Sequence, residues 1–83
     1  MAPRHVSLAS ELLRQWREKR ELNQTQMGQL IGIDLVRVSK FERGALTPGR
    51  KLALRIERAT SGAVPVGAWD EPTSASKIEA KAS

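Results

Sequence analysis

The chain has 83 residues, a formal net charge of +5 and no cysteine, which excludes a disulfide framework and any thiolate-ligated metal or cluster. A chain this short holds one small core and hardly a deep catalytic cleft, and its single histidine, His5, does not make a metal site. Residues 70–83 carry a net −1, leaving +6 on residues 1–69, so the basic body favours a polyanion partner. In chain order, residues 1–7 read as a flexible basic N-terminal arm containing Arg4 and His5. Ser7 is a cap for a first helix over 8–20, with Glu11 in its first turn and Leu12, Leu13 and Trp16 as its apolar stripe. Asn23 caps a second helix whose buried face is Met27, Leu30 and Ile31, and Gly32 ends it. Asp34 caps a third helix over 35–43, which stops at Gly44. After the punctuated loop to Gly49, a fourth helix covers 50–60, with Leu52, Ile56 and Ala59 inward and Arg55 outward. Residues 63–69 fit a short fifth helix opened by Pro65, in preference to a strand. From Asp70 the chain reads as a disordered tail with one large apolar residue, Ile78.

These elements predict an all-α fold, a compact bundle of four to five helices over residues 8–69. No apolar run approaches the roughly 18 residues needed to cross a bilayer, and the N-terminus lacks the apolar core of a secretory signal. The expectation is a cytoplasmic protein without membrane partner or cofactor.

Two short helices around Gly32 form a corner that presents the third helix outward. At about 100° per residue, Val38 and Phe41 fall on one side of that helix. Val36, Ser39, Lys40 and Arg43 fall on the other, with Leu35 and Arg37 at the flanks. An apolar back and a cationic front suit a helix that enters a major groove.

The run Leu22-Asn23-Gln24-Thr25-Gln26-Met27-Gly28-Gln29-Leu30-Ile31-Gly32-Ile33-Asp34, continued through Val38-Ser39-Lys40-Phe41-Glu42-Arg43-Gly44 to Pro48, resembles the Cro/repressor-type helix-turn-helix domain, also called the XRE family. The resemblance covers roughly residues 8–69 and implies a lambda-repressor-like bundle that binds double-stranded operator DNA as a homodimer. It implies base reading by Leu35, Val36 and Lys40, to which the outward position of Ser39 and the flanking Arg37 add candidates, and backbone contacts are expected from Asn23, Gln24, Thr25, Arg43, Thr47 and Arg50. Arg17 and Glu42 match a family pair joining the first helix to the third. Val64, Val66 and Trp69 are the candidates for the dimer contact, with Trp69 fitting the core equally well. Two departures stand out. Gly28 occupies a position that is commonly alanine in the family, and Leu35 and Val36 offer apolar contact where hydrogen-bonding readers would give more specificity. The result implied is a reader using thymine methyls, Lys40 and DNA shape.

A second class is an antitoxin-like protein whose main partner is another protein, held by residues 70–83. An enzyme is disfavoured because cysteine and tyrosine are lacking and the lone histidine lies at the N-terminus.

Overall fold

The computed structural model describes residues 7–71; the expected arm with Arg4 and His5, and the tail from residue 72 with Ile78, lie outside them. Four helices follow in order: α1 (Leu8–Lys19), α2 (Gln24–Ile31), α3 (Leu35–Arg43) and α4 (Arg50–Ala59). A closing 3₁₀ turn spans Val66–Asp70, and no strand lies among the described residues.

Local chemistry sets each boundary. Ser7 Oγ accepts from the Ser10 amide at 3.2 Å and starts α1. At its end, Glu21 adopts a left-handed φ of 56°, and the Leu22 amide returns to the Arg17 carbonyl at 3.1 Å. The helix therefore stops one residue short of the expected 20. A full capping box opens α2: Gln26 N donates to Asn23 Oδ1 at 2.7 Å, and Asn23 N donates to Gln26 Oε1 at 2.9 Å. Gly32, at φ 89°, closes it. Asp34 takes the extended cap backbone of α3 but makes no side-chain cap hydrogen bond. It lies 3.9 Å from Arg37 instead, in an exposed pair of little energetic weight. Helix α4 ends at Ala59 and not 60, because the buried Thr60 hydroxyl donates to the Ile56 carbonyl at 2.8 Å while accepting from Val64 N at 3.1 Å.

The core is built from one face of every element: Ala9 and Leu13, Met27 and Ile31, Val38 and Phe41, Ala53 and Ile56, then Val64, Ala68 and Trp69. Three expectations are corrected by it. Leu30 is 54% exposed, because the buried Gly28 moves the inner face of α2 towards its own side, leaving Leu30 about 100° off that direction. Val64, expected at a dimer contact, and Trp69, expected either there or in the core, are both buried within the chain itself. Trp69 meets Phe41 edge to face, with ring centroids 5.8 Å apart, an arrangement that adds to the burial of both rings. Finally, Asp70 and Glu71 belong to the ordered body and not to the tail: Asp70 ends the 3₁₀ turn, and Leu8 N donates to the Glu71 carbonyl at 2.6 Å. Glu57 Oε1 accepts from Val66 N at 3.0 Å and fixes the turn on α4.

Gly28 determines how sharply α2 meets α3. A Cβ there would overlap the Ile33 carbonyl oxygen, and that backbone is tied by the Ile33 amide donating to the Gly28 carbonyl at 2.8 Å. Alanine is the better helix former by about 1 kcal/mol, yet Gly28→Ala should lower stability, since overpacking against backbone costs about 1–3 kcal/mol. Thermal unfolding of the variant checks this; a melting temperature above that of the parent would show that the corner opens freely.

Candidate nucleic-acid interface

The corner between α2 and α3 is held from both sides. Gly32 and Gly44, at φ 89° and 75°, terminate α2 and α3 in the left-handed region where a side chain is strained. From behind, Arg55 on α4 reaches the Ile31 carbonyl at 3.4 Å, serving one of the carbonyls that the end of α2 leaves without a helical partner. Arg55 is exposed, as expected for the outer face of α4, and only its terminal nitrogen reaches back to α2. The unsatisfied carbonyls of α2 were the available signal, but 24 residues of separation carry no periodicity.

Arg17 and Glu42 meet across 25 residues of sequence. Arg17 Nε donates to Glu42 Oε2 at 2.7 Å and its second terminal nitrogen to Oε1 at 3.0 Å. This is the two-pronged geometry that only arginine supplies. The remaining terminal nitrogen donates to the Leu22 carbonyl at 2.9 Å, just ahead of the α2 cap. The Glu42 side chain is 4% exposed. Its hydrogen bond raises the Arg17 pKa above the ordinary value, against the opposing effect of burial. The guanidinium therefore stays charged throughout the working pH range, and its own titration does not break the pair.

Gln24, expected on a phosphate, is half-buried, with its Nε2 donating to Glu42 Oε1 at 3.3 Å. Asn23 uses its side-chain oxygen in the capping box and keeps its amide nitrogen for another partner. The Gln24 and Thr25 amides point out of the first helical turn, where an anion is favoured. Thr25 is exposed.

On α3 the outward face is mixed. Leu35 and Val36 are 46% and 54% exposed, two adjacent aliphatic side chains on one surface. Arg37, Lys40 and Arg43 are exposed beside them, and Ser39 is half-buried. Arg43 folds back towards the Ser39 carbonyl at 3.4 Å, while Lys40 forms no ion pair among the described residues. Thr47 and Arg50 are exposed at the loop before α4 and at its first residue. With Pro48 and the half-buried Val66 they border an open cleft against the closing turn. Of the three expected dimer residues, Val66 alone retains exposed surface beside that loop.

A helix-turn-helix family model matches residues 13–61, more than half of the chain, and the chain belongs to that family. It is of the Cro/repressor, or XRE, type, and its fold is the lambda-repressor-like bundle. Among solved structures it is similar to the P22 c2 repressor protein, crystallised in complex with synthetic operator 9T in the presence of Tl+. The two agree with a TM-score of 0.61 at 28% identity, over 65% of this chain and 82% of that one. No curated protein matches the chain in sequence.

Proposed function

We propose that this protein is a transcriptional regulator, acting as a repressor, that binds double-stranded DNA through α3 in the major groove. The observation that carries the reading is the outward face of α3. Two exposed aliphatic side chains, Leu35 and Val36, lie beside Lys40, which forms no ion pair among the described residues, on a helix packed against α1 and α2 and tied to α1 by the Arg17–Glu42 pair. Apolar side chains exposed in that way gain by packing on thymine methyls, and a lysine beside them donates to guanine O6 or N7. The first turn of α2 supplies phosphate contacts through its free amides and Gln24, with Arg43, Thr47 and Arg50 along the same backbone. Family membership and the likeness to an operator-bound repressor support the same assignment.

One small domain makes a short footprint, so the operator is a palindrome read by a homodimer, its half-sites about 34 Å apart. Val66 and the Thr47–Pro48 loop offer surface for the contact between copies.

The test is a gel-shift titration against genomic fragments at two salt concentrations. Saturable, sequence-selective shifts are expected, weakening by orders of magnitude between about 50 and 200 mM salt as phosphate contacts release counterions. A chain that shifts no fragment selectively at the lower salt is not a sequence-reading regulator.

A further inference from the structure

The bond from Gln24 to Glu42 goes beyond what the ion pair requires. Both Glu42 oxygens already accept from Arg17, at 2.7 and 3.0 Å, and Gln24 Nε2 adds a third donor on Oε1 at 3.3 Å. A carboxylate only accepts, so the Gln24 amide must present its nitrogen to Glu42 and not its oxygen. One of the two N–H groups is thereby taken, and the other is left for a partner at the first turn of α2. The negative charge of Glu42 is matched at contact by Arg17, which lowers its repulsion of a phosphate bound nearby. Arg17 also holds the Leu22 carbonyl at 2.9 Å, so one guanidinium steadies both the chain entering α2 and the carboxylate that orients the Gln24 side chain.

We propose that Glu42 is a positioning residue for DNA binding: it fixes the Gln24 amide with an N–H, not a carbonyl, available to the phosphate at the start of α2. The inference rests on the DNA-binding reading above and adds to it. Glu42 itself touches no DNA. Its effect passes through Gln24, and neutralising Glu42 frees the amide to rotate and offer its oxygen to the phosphate.

A phosphate contact is indifferent to sequence, so the probe is a duplex of roughly 30 base pairs of arbitrary sequence at about 50 mM salt. Binding is measured for the parent, Glu42→Gln, Gln24→Ala and the double variant, well below the melting temperature of each. Glu42→Gln is expected to weaken binding about fivefold in the parent background and by less than about twofold once Gln24 is alanine. Equal losses in the two backgrounds, or no loss in either, overturn the proposal. A second measurement needs no variant. One of the two Gln24 side-chain amide protons of the parent, the one donated to Glu42, should resonate away from its free-amide position; free-amide shifts for both overturn the proposal as well. Should the parent fail to bind the duplex, the DNA-binding reading falls and the positioning proposal with it, whereas a bound parent with equal losses refutes the positioning alone.

Discussion

Arg17→Ala is expected to destabilise the fold by about 3–5 kcal/mol, a large share of what a domain of this size possesses. The loss comes less from the missing attraction than from what is left behind. Glu42, 4% exposed, would keep an unpaired charge away from water, and the Leu22 carbonyl would lose its donor. A melting temperature lower by about 15 °C or more is the expected reading. Arg17→Lys should recover only part of it, since an ammonium cannot span both carboxylate oxygens while also reaching Leu22. Removing both partners, as Arg17→Met with Glu42→Leu, should cost less than Arg17→Ala alone, because no charge remains stranded. If Arg17→Ala melts with the parent, the pair contributes nothing to the fold and the bracing assigned to it is wrong.

The second large effect concerns binding. Lys40→Ala is expected to weaken the selected DNA fragment by about 1–3 kcal/mol while leaving thermal stability unchanged. Its side chain is exposed and lies in no ion pair among the described residues, so the fold has no use for it. Leu35 and Val36 donate no hydrogen bond, which concentrates polar readout of bases on Lys40 with help from Arg37. Arg37 is already engaged, weakly, with Asp34 at 3.9 Å. Competition binding against substituted fragments checks the loss and should show relaxed preference at one base pair per half-site. Unchanged affinity would mean that α3 does not lie in the groove.

The exposed Leu30 and the buried Val64 and Trp69 show where pattern and packing part. Leu30 satisfied the helical spacing with Met27 and Ile31, but so did a face centred nearer Gly28, and spacing alone does not choose between faces only about 50° apart. The choice was made by α3, whose Ile33–Asp34 approach needs the bare Gly28 against it. The sequence offered Val64 for a contact between copies and Trp69 for that contact or the core. They are core because Thr60 and Glu57 turn the chain back over α1 and α4, through bonds to Val64 N and Val66 N.

Residues 7–44 carried most of the architecture in their local chemistry. Ser7 and Asn23 as caps, Gly32 and Gly44 as left-handed stops, and the alternation of Val38 and Phe41 with Lys40 and Arg43 are each decided within a turn or two of helix. Such signals act between neighbours, so the sequence by itself determined the first three helices, the corner at Gly32 and the outward placement of Lys40 and Arg43 on α3. Contacts between residues far apart in the chain have no period to reveal them. The tertiary structure alone decided that Gly28 sets the angle of the corner, that Arg55 closes the end of α2, and that Gln24 answers to Glu42 before it meets any phosphate. The physical reason is one of range: caps and turns are set by adjacent backbone, whereas orientation at the interface depends on which distant charge or carbonyl the packed helices bring within about 3 Å.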